Sequence, residues 1–228
     1  MIVPGTRSAR ALLVAMLATA ACASSPRASV QVVPTPVTTP SDPAFAAKAR
    51  ADSLLRPYTA ADIHFMSGMI GHHAQAIVMA RWAPTHGASP AIRTLAARII
   101  NAQSDEIALM QHWLRDRNQE VPDATPMGMK MEMEGMEHMM LMPGMLNDAQ
   151  MKELNAARGA DYDRLFLTYM IQHHNGAVTM VRELFATDGA GQDEQVFKFA
   201  SDVQVDQSTE IARMQRMLGP MTGQKRAP

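Results

Sequence analysis

Two pairs of adjacent histidines occur in this chain, and methionines lie at the same spacing around each pair. In the first set, Met69 precedes His72 and His73, and Met79 follows them. The second set lies 101 residues further on and consists of Met170, His173, His174 and Met180. Imidazole nitrogen is a borderline metal ligand and thioether sulfur is a soft one. The pattern therefore predicts metal ligation by side chains that are present in duplicate.

A second group of soft ligands lies between the two histidine pairs, in residues 127–145. Nine of these nineteen residues are methionine. Thioethers need no deprotonation before they bind, and they favour Cu(I), and by the same softness Ag(I), over zinc or magnesium. The segment could instead absorb oxidants or form an adaptable surface for a partner. Its candidate ligands are Met127, Met129, Met131, Met133, Met136, His138, Met139 and Met140.

The duplication extends beyond the histidines and predicts the architecture that must position them. Residues 103–111 match residues 207–215, at an offset of 104 residues. A period of this length indicates a duplicated supersecondary unit, most simply a helical hairpin. Two such hairpins predict an all-α four-helix bundle.

The predicted helices follow from capping and breaking residues. The first spans residues 59–83, the second starts at Ser89-Pro90 and continues to residue 117, and the third spans residues 147–186 with a bend at Gly159. The fourth follows Gly191 and ends before Gly219-Pro220. The long connection between the second and third helices contains the methionine-rich segment, and such connections are usually functional or disordered.

Helical geometry predicts where the histidines and methionines point. His73 lies on an apolar stripe, so we expect it to face the bundle interior, and His72 projects to one side of that stripe. Met69 is one turn before both histidines, whereas Met79 is about two turns after His72, too far to share one metal within a single helix. Buried imidazoles need partners, and either a metal or the carboxylates Glu106 and Glu210 could supply them.

The N-terminal part of the chain predicts export and anchoring. Residues 1–22 have a basic start and a short Ala/Leu-rich stretch, as in a signal peptide, and Cys22 follows small residues as in a lipobox. We expect lipidation at Cys22 and a location in the periplasm or cell envelope, with the membrane contacted only through the anchor. Residues 23–57 predict a Pro/Ser/Thr-rich tether with a short helix over residues 45–56. Residues 58–220 form the predicted bundle domain, and residues 221–228 a tail.

The composition and the motifs narrow the possible functions. The net charge of -1 leaves no electrostatic footprint for nucleic acid. We expect a protein that is not an enzyme, because no nucleophile–base arrangement or phosphate loop occurs. One alternative is a ferritin-like di-iron oxidase, but such sites need a Glu-x-x-His motif that this chain lacks. Another is a structural module of the envelope with a buried His/Glu network, which would leave the methionine-rich segment unexplained.

The paired Met-Ile-x-His-His and Gln-Ser-x-Glu-Ile-x-x-Met patterns resemble the domain of unknown function 305 (DUF305) family, which includes CopM-like copper-binding proteins. The resemblance covers residues 62–218. It implies a ferritin-like four-helix fold and the binding of Cu(I) or Ag(I) in the envelope, for copper storage, transfer or resistance. The partners it implies are copper ions and copper efflux or chaperone proteins. His112 has no histidine counterpart in the second repeat, which places it outside the shared ligand set. The ligands implied are Met69, His72, His73, Met79, Met110, Met170, His173, His174, Met180 and Met214.

Overall fold

The computed structural model describes residues 58–126, 128–133 and 136–223, together with the single residue 43. The predicted signal peptide, Cys22, the tether and its helix, Met127 and residues 224–228 lie outside the described residues. Within the methionine-rich segment, residues 129–133 and 136–139 are described by their backbone alone.

Four long helices form the body of the domain. They are α1 (Ala60–Arg81), α2 (Pro90–Asp116), α4 (Gly159–Ala186) and α5 (Glu194–Leu218), with a shorter helix α3 (Asp148–Ala156) before α4. Helix α1 packs against α2, α4 packs against α5, and the two hairpins meet through α1 and α4. The predicted all-α bundle of two repeated helical hairpins is confirmed. Among the described residues, no helix is both long enough and apolar enough to cross a bilayer.

The start of α1 is held by a reciprocal cap. The amide of Asp62 donates to the hydroxyl of Thr59 at 3.3 Å, and the amide of Thr59 donates to the Asp62 carboxylate at 2.7 Å. The same carboxylate accepts from the amide of Gly191 at 2.7 Å, so the cap also ties α1 to the turn before α5. The capping box thus fixes the helix that carries the first histidine pair.

Replacing Thr59 with alanine is expected to lower the free energy of unfolding by about 1 kcal/mol, because one helix-end amide loses its partner. Urea denaturation of the variant measures this. Thr94→Ala is the matched control, since Thr94 lies on the exposed side of α2 and caps nothing. Equal losses in the two variants would contradict the cap's role.

The structure divides the predicted third helix into two. Ala157 and Arg158 are extended, with ψ angles of 150° and 153°, and Gly159 has a φ of +58°. The amide of Gly159 donates to the carbonyl of His86 at 2.8 Å, so the break is anchored to the turn that follows α1. A bend was expected at Gly159. The extended backbone at Ala157 and Arg158 ends α3, and α4 begins at the left-handed Gly159.

The methionine-rich segment contains a β-hairpin that the sequence did not predict. Strands β1 (Met129–Met133) and β2 (Met136–Met140) pair in antiparallel register. Alternate residues of a strand share one face, and three of the five register pairs contain only methionine and histidine. These pairs are Met129 with Met140, Met131 with His138, and Met133 with Met136. The hairpin therefore has one face made only of residue types that are soft or borderline metal ligands.

Candidate metal centre

The four paired histidines lie at the middle of α1 and α4, where the two repeats meet. Each is fully buried, with 0% of its surface exposed. The rings of His72 and His173, which are equivalent residues of the two repeats, are 3.8 Å apart between centroids and tilted by 41°. His73 and His174 lie outside this central pair, and the ring of each is 6.2 Å from that of its neighbour in sequence. Together they form a layer of imidazoles across the bundle, which we call the histidine layer.

Backbone contacts determine the tautomer of the two central histidines. Nε2 of His72 lies 3.0 Å from the carbonyl oxygen of Pro143, and Nε2 of His173 lies 3.0 Å from the carbonyl oxygen of His72. A carbonyl only accepts, so Nε2 donates in both rings. Burial lowers the pKa of His72 to about 3 and holds the pKa of His173 well below its ordinary value. Both rings are therefore neutral near pH 7, with a lone pair on Nδ1.

The two outer histidines each face a carboxylate from the partner helix of their hairpin. Nε2 of His73 lies 2.8 Å from Glu106 Oε2, at an angle that is not that of a hydrogen bond, and His174 Nε2 forms a hydrogen bond of 2.7 Å with Glu210. The glutamates are partly exposed, at 20% and 26%. A carboxylate behind a histidine fixes ring orientation and raises its basicity as a metal ligand. The carboxylates expected as alternative partners are therefore compatible with metal binding at Nδ1.

All four Nδ1 atoms of the layer are buried without a hydrogen-bond partner among the described residues. An unsatisfied buried polar group costs about 1–3 kcal/mol. Buried nitrogen donors of this kind, at equivalent places in the two repeats, are what a cation that prefers nitrogen and sulfur requires. The donor set therefore fits a soft or borderline metal ion.

Two buried glutamines add to the polar interior. Gln103 and Gln207 lie one turn before Glu106 and Glu210 on α2 and α5, and are 2% and 3% exposed. Both side-chain polar atoms of Gln103 and Oε1 of Gln207 have no hydrogen-bond partner in the described part of the chain. Sequence reasoning assigned them no role. Their recurrence at the head of the second repeated block was the available signal.

The methionines form two groups, one on each side of the histidine layer. The Met69 cluster is the hydrophobic core cluster that holds the predicted ligands Met69, Met110 and Met180 together with Met66 and other apolar residues. The Met79 cluster is the core cluster that holds the predicted ligands Met79, Met170 and Met214. The six predicted ligands are at most 3% exposed. Each cluster combines the methionine before one histidine pair with the methionine after the other pair, because the first half of α1 meets the second half of α4. Met69 and Met79 therefore lie in different clusters, and each shares its cluster with a methionine from the other repeat.

A strap formed by residues 142–146 covers one side of the histidine layer. The amide group of Gln75 forms two hydrogen bonds with the backbone of Leu146, at 2.9 and 2.7 Å. Pro143 accepts from His72, and a side chain on Gly176 could not fit, since its Cβ would lie 1.9 Å from the Pro143 oxygen. Gln75 and Gly176 are equivalent positions of the two repeats. Sequence reasoning missed both, although they differ directly beside matching histidine pairs.

For most of the remaining predicted ligands, the structure gives the backbone position and no side-chain contacts. Met140 is 44% exposed at the end of β2. The other hairpin residues lie in strands whose side chains are outside the description, and Met127 lies outside it altogether. Across residues 58–126 and the other described stretches, no group of three or more His, Cys, Asp or Glu side chains is arranged to hold a metal.

Residues 62–218 match the family described as Domain of unknown function (DUF305). The chain belongs to the DUF305 family. A DUF305 structure from Streptomyces coelicolor, described as a secreted protein, is 27% identical with a TM-score of 0.58, and the match covers 74% of this chain and 96% of that one. It gives the fold independent support.

Copper-bound structures are among the similar proteins. CopM in its Cu(I)-bound form is 28% identical, with a TM-score of 0.52 and coverage of 68% of this chain and 94% of CopM. In its Cu(II)-bound form the TM-score is 0.54, with coverage of 70% and 96%. An uncharacterized protein of Acanthamoeba polyphaga mimivirus is 39% identical over 56 residues, 25% of this chain. The chain spans only 37% of the length of that relative.

Proposed function

We propose that this DUF305 protein binds Cu(I), and by the same chemistry Ag(I), without catalysing a reaction, and serves copper storage, transfer or resistance in the cell envelope. The observation that carries the proposal is the histidine layer, in which four buried Nδ1 atoms have no described partner and lie between two methionine clusters. Neutral imidazole and thioether need no proton loss at neutral pH, so the site is ready to accept a cation.

The identity of the metal follows from the balance of ligand types. The six buried methionines predicted as ligands lie in the two clusters that flank the layer. Among the described side chains, the carboxylates that contact the layer are Glu106 and Glu210, which face Nε2 of His73 and His174 rather than Nδ1. Thioether-rich sites favour Cu(I) over hard cations. The structural similarity to copper-bound CopM supports the same choice.

The hairpin adds a second set of soft ligands to this chemistry. Its methionine–methionine and methionine–histidine register pairs place six soft or borderline residues on one face. We assign it the capture of copper, and the buried layer its retention. Export and a lipid anchor at Cys22 complete the proposal, with copper efflux or chaperone proteins as exchange partners; the description of the Streptomyces relative as secreted agrees with this location.

The test is an anaerobic titration with Cu(I) against a chromophoric competitor. Met69→Leu/Met170→Leu removes one sulfur from each cluster at nearly constant volume. We expect it to weaken binding ~10-fold or more. Met66→Leu is the matched control, because Met66 is fully buried in the Met69 cluster and its counterpart in the second repeat is already Leu167. The control is expected to bind as the unaltered protein does.

Two results would contradict the proposal. One is the absence of stoichiometric Cu(I) binding by the unaltered protein, together with no rise in its unfolding temperature when Cu(I) is added. The other is tightly held iron with oxidase activity in the purified protein, which would favour the di-iron alternative.

A further inference from the structure

A small cavity opens to the surface beside the Met69 cluster, where the first turns of α1, the last turns of α4 and the strap meet. Its volume is about 90 Å³, well below the ~300 Å³ at which pockets for organic ligands begin. His64, Met142, Met180 and Glu183 are among the residues that line it. A cavity of this size suits a small ion better than a drug-sized organic ligand.

The lining residues combine soft donors with a negative charge. Met180 is 3% exposed, Met142 is half-buried, and His64 and Glu183 are exposed. Two thioethers and an imidazole form a donor set suited to Cu(I) or Ag(I), and a nearby carboxylate attracts a cation from solvent. His64 and Met142 were not among the ligands predicted from the sequence.

The cavity shares a methionine with the proposed metal centre. Met180 lines the cavity and also belongs to the Met69 cluster, against which Met142 packs. Met142 follows the hairpin closely in sequence, and the next residue, Pro143, accepts the hydrogen bond from His72. Along the chain, Met142 thus lies between the hairpin and the residue that contacts the histidine layer.

The second repeat does not repeat the polar residues of the cavity, so these residues are not a simple consequence of the duplication. At the positions equivalent to His64 and Glu183, the other half carries Leu165 and Trp82. Leu165 is 8% exposed and Trp82 packs against the Met79 cluster. One end of the bundle is therefore closed by apolar side chains, whereas the other presents an imidazole and a carboxylate.

We propose that this cavity, which we call the portal, is a separate surface site for a soft monovalent cation, with His64, Met142 and Met180 as its ligands. Glu183 contributes charge at the mouth. The inference rests on the proposed copper-binding function and adds to it a site outside the buried layer.

The experiment uses protein labelled with ¹³C at the methionine methyl groups and titrated with Ag(I), which does not change oxidation state on binding. In the unaltered protein the methyl resonances of Met142 and Met180 are expected to shift. His64→Gln/Met142→Leu should weaken one equivalent ~10-fold or more while the other equivalents keep their affinity. His64→Gln alone, at an exposed position, gives the same direction of change without risk to folding.

The matched control is His112→Gln/Met151→Leu, which removes one exposed histidine and one half-buried methionine away from the portal. It should bind Ag(I) as the unaltered protein does. If the unaltered protein binds neither Ag(I) nor Cu(I), the proposed function fails. If it binds them and the His64→Gln/Met142→Leu variant keeps every affinity, with the Met142 methyl resonance unshifted in the unaltered protein, the portal is wrong and the proposed function stands.

Discussion

Replacing Gly176 with alanine is expected to lower the free energy of unfolding by about 2–3 kcal/mol, although alanine is the better helix former by about 1 kcal/mol. The helix propensity and the packing therefore predict opposite signs. A Cβ at this position would lie 1.9 Å from the Pro143 oxygen and 2.6 Å from the Cα of Gly144. Both neighbours are backbone, so the strap as a whole would have to move.

Displacement of the strap would break the contacts that cover the histidine layer. The carbonyl of Pro143 would leave Nε2 of His72, and the two hydrogen bonds between Gln75 and Leu146 would be strained or lost. The loss of these partners by buried polar groups accounts for most of the expected decrease in the free energy of unfolding.

Urea denaturation and hydrogen exchange at the Leu146 amide measure the two effects together. We expect lower stability and faster exchange at Leu146 in Gly176→Ala. The control is Asn175→Ala, the exposed neighbouring residue on α4, whose stability should stay within about 0.5 kcal/mol of the unaltered protein. A Gly176→Ala protein as stable as the original, or more so, would show that the strap is not packed against α4 as described.

Local sequence signals predicted most helix ends, although the break between α3 and α4 was expected only as a bend. The Thr59 cap, the Ser89-Pro90 start and the Gly219-Pro220 end are short-range features whose physics does not depend on tertiary contacts, and the helices begin and end near them. The duplication then limited the arrangement to two similar hairpins. The bundle could therefore be predicted with no knowledge of how the hairpins pack.

Which methionines share a cluster could not be predicted from the sequence of a single helix. Met69 and Met79 are separated along α1, and only the contact between α1 and α4 unites Met69 with Met180. That contact depends on the whole core. The strap was equally inaccessible, because Gln75 and Gly176 acquire their roles from a segment about seventy residues away from Gln75. Met129, Met131 and Met133 alternate with other residues at a period of two, which is typical of a strand. This pattern could have predicted the hairpin from the sequence.

The metal-free protein is expected to lose stability steeply as the pH falls from about 6.5 towards 4. Burial, reinforced by the neighbouring histidines, lowers the pKa of His72 to about 3 and that of His173 well below its ordinary value. The unfolded chain takes up protons near pH 6.5, whereas the folded chain does not. The contribution of each neutral histidine is thus fully present above about pH 6.5 and is lost as the pH falls towards the folded pKa. The slope is roughly 1.4 kcal/mol per pH unit for each histidine.

Urea denaturation at several pH values between about 7.5 and 4 measures the slope. Carboxylates also contribute to acid unfolding, so the difference between variants isolates the histidines. His72→Gln/His173→Gln should have a shallower slope, by up to about 2.7 kcal/mol per pH unit, because neither side chain takes up a proton on unfolding. His112→Gln removes an exposed imidazole and should keep the original slope. If the slope of the double variant equals that of the unaltered protein, His72 and His173 are not the neutral, buried pair on which the metal centre depends.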